Sequence, residues 1–230
     1  MIFVDNNENL VHVILEEAEV LFCRNLGLQR KKYKIWRKEG KDNAYPDGLL
    51  NDENDEYQTE RLGAYGEKVL SALTGLSINE EVLENGDPGW DFITLSKDSF
   101  KIDSKVAKTD EYNTSNKYGE LYIRATDDHG REKELKSDYY FFATIIYHDG
   151  TTISKGYRTE RNATTITLDC HGFISKEDIL KNKEERLGDC LYKGGNWKNF
   201  YVKKSELIHP ITFIEQNRDH FDFKEMDLFI

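Results

Sequence analysis

Apolar residues recur along this chain with two different periods. Between Glu8 and about Gly27, Val11, Ile14, Leu15, Ala18, Leu21 and Phe22 fall at helical spacing, which predicts an amphipathic helix. A second helix is predicted from about Glu60 to Thr74, with Leu62, Tyr65, Val69, Leu70 and Leu73 as its buried stripe. Thr59 is a candidate cap for it and Gly75 a left-handed stop. Between the two, residues 43–57 are polar and acidic, contain Pro46 and Gly48, and read as a loop.

Further on the period changes to two. A weak strand is predicted near Glu81–Glu84, followed by residues 89–95 (GWDFITL) and 100–106 (FKIDSKV). In the last of these, Asp103 and Lys105 must share one face, while Phe100, Ile102, Ser104 and Val106 take the other. If the two segments form a hairpin, burying Phe92 against Ile102 sets Asp91 opposite Asp103. A slip of two residues sets Asp91 opposite Lys105. Either register gathers the acids on one face and leaves Trp90, Phe92, Phe100 and Ile102 on the other. An odd-length turn around Lys97 and Asp98, or a bulge, is then required.

Residues 121–123 suggest a short strand, and residues 127–136 a short helix or turn. The run YYFFATIIY over 139–147 is apolar on both faces, as in a central strand covered from both sides. Ile166, Leu168 and Cys170 alternate in another strand, after which Ser175, with Asp178 three residues on, caps a helix through Leu180. Residues 194–196 mark a loop, and residues 200–202 lead into the last elements. The order predicts an α/β (α+β) architecture, a mixed sheet flanked by helices. Residues 1–58 form an N-terminal helical extension with an acidic loop, and residues 59–230 the main domain.

Composition narrows the classes. The 230 residues are 38% apolar and 33% charged, enough for a core, and no apolar run approaches membrane-spanning length. The N-terminus lacks a signal-peptide pattern. Cys23, Cys170 and Cys190 are odd in number and widely spaced, and read as reduced thiols of a cytoplasmic protein. The six histidines show no ligand spacing, and no phosphate-binding loop is present, so zinc chemistry and a nucleotide cofactor are not expected. The net charge of −11 opposes general nucleic-acid binding, yet Arg30, Lys31, Lys32, Lys34, Arg37, Lys38 and Lys41 form one basic block. An acidic block from Asp47 to Glu60 follows it at once.

An acid on the first core helix (Glu67), an Asp opening a strand (Asp91) and Asp-x-Lys in the next (Asp103, Lys105) resemble the PD-(D/E)XK nuclease superfamily. The resemblance covers about Thr59 to Glu215. In the motif Asp91 follows Trp90 rather than a proline; Pro88 leaves Asp87 as a rival acid, and Asp91 is preferred because it can reach Asp103 across the hairpin. The resemblance implies a restriction-endonuclease-like core and an Mg²⁺-dependent DNA endonuclease, with Mn²⁺ able to substitute. It implies Asp91 and Asp103 as metal ligands, with the carbonyl of Ser104 as a third. Glu67 would hold a metal-bound water or a second cation, and Lys105 would orient the attacking water or stabilise phosphate charge. Such residue types suit the chemistry: phosphodiester hydrolysis needs charge neutralised on phosphorus and an activated water, and Mg²⁺ takes hard oxygen ligands. Lys108, Arg30, Lys31, Lys32 and Lys34 are candidate DNA contacts. A homodimer or a regulatory protein is a further expected partner, and no membrane partner is expected. The rivals are a non-catalytic nuclease-like binding or assembly module, and a nuclease for junctions or RNA.

Overall fold

The computed structural model describes residues 1–5, 10–39, 58–80, 90–108, 121–127, 129–149, 151–152, 163–190 and 196–222. The strand expected near Glu81–Glu84, the rival acid Asp87, the loop over 43–57 and Lys41 lie outside the described residues. So do the side chains of Lys34 and Lys108.

The fold is mixed α/β, built on a central mixed sheet flanked by helices. Six strands lie in the order β1 (Ile2–Asp5), β2 (Leu10–Leu15), β8 (Ile166–Ser175), β6 (Tyr139–His148), β4 (Lys101–Lys108), β3 (Phe92–Ile93). The two-residue β7 (Thr151–Thr152) pairs with the end of β6. Only β4 and β6 run parallel among these pairs. A second, three-stranded sheet carries β5 (Leu121–Arg124), β10 (Lys198–Val202) and β9 (Leu187–Asp189).

Two apolar layers sandwich the central sheet. On one face, helices α1 (Glu17–Glu39) and α2 (Gln58–Thr74) pack through Val20, Cys23, Leu26, Leu62, Tyr65, Val69 and Leu70. On the other, Leu121, Ile123, Phe200 and Val202 of the small sheet meet Tyr140, Phe142 and Ala107. Strand β6 serves both layers, with Phe141, Ala143 and Ile145 on the helical side, as its sequence requires. The expected stripe of α2 is buried throughout, and Gly75 ends that helix at φ +72°. Helix α3 (Lys176–Lys181) starts where expected: Ser175 Oγ accepts from the Asp178 amide at 3.0 Å and donates to its carboxylate at 2.7 Å. Short α4 (Lys183–Arg186) and α5 (Pro210–Gln216) complete the described α-helices.

The first segment departs from expectation. Residues 10–15 form a strand, and the helix begins only at Glu17. Val11, Val13 and Leu15 alternate inward, a period-two pattern reinforced by β-branched residues. Leu21, expected on the apolar stripe, is exposed. The described residues before Gln58 are woven into the same body: β2 pairs with β8, and α1 lies along α2. Residues 127–136 hold a turn rather than a helix, closed by Asp127 on the amides of His129 and Arg131. No described helix is long and apolar enough to cross a membrane.

Candidate active site

The hairpin adopts the first of the two even registers. Phe92 faces Ile102 and Ile93 faces Lys101. The amide of Thr94 donates to the Phe100 carbonyl at 3.0 Å, so the five residues 95–99 form the odd-length turn. Regular pairing stops at Phe92. Asp91 sends its amide to the Ile102 carbonyl (2.9 Å), and its carboxylate Oδ2 accepts from the Ser104 amide (2.7 Å). A strand's N–H groups lie in the plane of the sheet, so this carboxylate sits at the edge of β4 rather than over either face. A strand residue directs its N–H and C=O to the same side. The Ser104 carbonyl therefore points to the edge where Asp91 lies.

An edge position sees both faces. Asp103 and Lys105 rise on the side of the small sheet, with Ala107 and Tyr140, and Lys105 Nζ lies 2.6 Å from Asp103 Oδ2. Asp103 is 14% exposed and Lys105 37%. From the opposite face α2 delivers Glu67. It can do so because Gly66 rests directly on β4: a Cβ there would overlap Ser104 Oγ and lie 2.5 Å from Val106 Cγ2. The charges of Glu67, Asp103 and Lys105 and the Ser104 amide all act on Asp91. Its carboxyl is held well above the usual range by burial first, then by the charges of Glu67 and Asp103; Lys105 and the Ser104 amide act the other way. Asp103 also helps burial to raise the Tyr140 phenol.

Glu67 lies off the centre of the apolar stripe, a position that suits a solvated residue, yet its side chain is only 5% exposed. It is gripped at both oxygens by Arg30 of α1, Nη1 on Oε1 and Nη2 on Oε2, the latter at 2.7 Å. Arg30 Nη2 also donates to the Asn79 carbonyl at 3.1 Å. The sequence places Arg30 in a basic block but gives no sign of this partner, since the pairing depends on how α1 crosses α2. A Cβ on Gly27 would stand 2.9 Å from backbone atoms of Arg61, so the crossing is close, and Arg30 follows about one turn later.

No family model, curated protein or solved structure matches the chain.

The remaining candidates divide. Lys31 and Lys32 are half-buried on α1. Trp90 is not part of the core; it is half-buried, with Lys101 Nζ 3.8 Å from its ring centroid. Among the described residues no group of three or more His, Cys, Asp or Glu side chains is arranged to hold a metal ion. Asp91 at the edge, Asp103 on the adjoining face and the directed Ser104 carbonyl remain, and Mg²⁺ commonly takes one or two protein carboxylates and keeps several waters. The repulsion felt at Asp91 is what a divalent cation between Asp91 and Asp103 would relieve. The donor set therefore fits a hard cation.

The elements that carry the site are joined by the C-terminal segment. The Leu95 amide donates to the His220 carbonyl at 3.1 Å, Ser96 Oγ lies 2.6 Å from His220 Nδ1, and the Asp222 amide donates to the Thr74 carbonyl at 3.2 Å. This segment thus touches the β3–β4 turn and the end of α2 together.

Proposed function

We propose that this chain is a metal-dependent phosphodiester hydrolase of the PD-(D/E)XK kind, acting on DNA as an endonuclease. The observation that carries the reading is the edge carboxylate of Asp91, held by the Ser104 amide next to the strand that presents Asp103 and Lys105 on one face, with the charge of Glu67 acting on it from the other. Asp91, Asp103 and the Ser104 carbonyl are the groups that would hold Mg²⁺ or Mn²⁺. Bound there, the ion supplies charge neutralisation at the phosphate and a water acidic enough to ionise near neutral pH.

The chain's own residues do the rest. Lys105, about a third exposed, places an ammonium where it can donate to a phosphate oxygen or to the attacking water. Its contact with Asp103 keeps it at the edge until substrate arrives. The Ser104 amide fixes one oxygen of Asp91. Glu67 fixes charge behind Asp91 and can accept from an ordered water.

A non-catalytic binding module is the second reading. What favours it is the internal pairing of Lys105 with Asp103 and of Arg30 with Glu67, which balances the charges without any ligand. Supercoiled plasmid incubated with Mg²⁺, Mn²⁺ or EDTA separates the two. Metal-dependent nicking, lost in Asp91→Ala and in Lys105→Ala with folding retained, is the expected result. Wild-type rates in either variant would overturn the assignment, and an inert, folded wild type on both DNA and RNA would favour the module.

A further inference from the structure

The carboxylate of Asp91 lies at this edge, with the charges of Asp103 and Glu67 acting on it from opposite faces, and phosphodiester hydrolases work with one or two divalent ions. Glu67 decides which. Both its oxygens are taken by one guanidinium, a planar fork with a permanent charge, and the carboxylate is almost wholly buried. Arg30 itself is 23% exposed and is anchored a second time on the Asn79 carbonyl. Its own helix is set close against α2, since a Cβ on Gly27, about one turn before Arg30, would stand 2.9 Å from backbone atoms of Arg61.

We propose that Arg30 stands where a second divalent cation would, so that the site takes one ion, a step that rests on the cation-dependent reading above. The single ion belongs to Asp91, Asp103 and the Ser104 carbonyl. Glu67 is a positioning residue: its charge is matched by Arg30, and it touches no ion. A second cation at Glu67 would have to displace the guanidinium or lie beside it. Displacement strands a cationic side chain in a mostly buried place, and lying beside it sets two positive charges in contact. Arg30 is therefore withdrawn from the set of DNA contacts, and its role is to fix the metal count.

Calorimetric titration with Mn²⁺ tests this without reference to cleavage. The wild type is expected to bind one ion, Arg30→Gln two, and Arg30→Lys, which restores a fixed positive charge, one again. Two ions in the wild type, or one in a folded Arg30→Gln, overturn the inference. If Arg30→Gln does not fold, Glu67→Gln carries the test: it is expected to keep one ion with affinity within about threefold of wild type. Loss of that ion would make Glu67 a direct ligand and end the inference. No ion in the wild type would instead remove the cation-dependent reading, and the metal count with it.

Discussion

Replacing Gly66 by alanine tests the contact that brings α2 to the sheet, independently of any reaction. Alanine is the better helix former by about 1 kcal/mol in a helix interior. At Gly66 that gain meets an obstacle, because the new Cβ would overlap Ser104 Oγ and approach Val106 Cγ2 to 2.5 Å. Serine can rotate away, but valine is stiff at χ1 and is backed by the core. Overpacking of this kind costs about 1–3 kcal/mol. At Gly63, one turn earlier on the same helix, an added Cβ would meet nothing within 4 Å, so Gly63→Ala keeps the propensity gain without the clash. The propensity change cancels between the two variants, and the steric cost alone remains. For a chain of this size each kcal/mol moves the melting temperature by about 2–4 °C, so Gly66→Ala should melt ~2–12 °C below Gly63→Ala. Differential scanning calorimetry of the pair gives the number. Equal melting temperatures would refute the seating of α2 on β4, and with it the delivery of Glu67. In the cleavage assay Gly66→Ala should also lose more than its stability explains, since a displacement near 1 Å at a reacting centre can cost about 100-fold.

Other outcomes follow from the same geometry. Asp91 has a folded-state pKa raised above 3.8, so the unfolded chain releases this proton first and stability falls as pH rises from 3.8 through the folded value. Asp91→Asn should therefore melt above wild type at pH 7 in EDTA, with the gap closing as pH approaches 3.8; an Asn variant no more stable at pH 7 would contradict the assignment. Saturating Mn²⁺ should raise the melting temperature of wild type and not of Asp91→Asn. His171, held by Thr144 Oγ1 at 2.6 Å, is pushed down to about 3, first by burial and then by Lys204. The unfolded chain takes up this proton below about 6.5, so stability is lost as pH drops from 6.5 toward 3. His171→Gln should flatten that acid limb in urea titrations at pH 7 and pH 5, and an unchanged slope would exclude the buried neutral ring as its source.

Much of the framework can be read from local pattern. The stripe of α2, the two-sided burial of β6 and the Ser175 cap each depend on residues within one or two turns, where periodicity and capping chemistry decide. The parity of the β3–β4 register is legible as well, because burying the aromatics together allows only the two even registers, and the structure selects the one that pairs Phe92 with Ile102. The segment 10–15 misleads because Val11, Ile14 and Leu15 satisfy a helical spacing by coincidence, while the partner that makes them a strand, β8, lies some 150 residues away. The candidate site shows the same division. The i, i+2 pair Asp103 and Lys105 follows from strand geometry alone. The edge placement of Asp91 does not, since it depends on where β3 ceases to pair. Glu67 has the sequence position of a solvated residue because the apolar stripe describes only contacts with the core, and the Arg30 fork comes from another helix. Gly66, immediately before it, is the one local sign that the helix touches something there.

The brace behind the candidate site also bears on how the protein is made. The segment that holds the β3–β4 turn and the end of α2 from behind reaches Asp222, while Glu67, Asp91 and Asp103 are all synthesised more than a hundred residues earlier. During translation these charged side chains therefore leave the ribosome long before the brace that holds the two elements carrying them. A polypeptide that stops before His220 carries every charged group of the candidate site without the contacts that hold the β3–β4 turn and the end of α2 together.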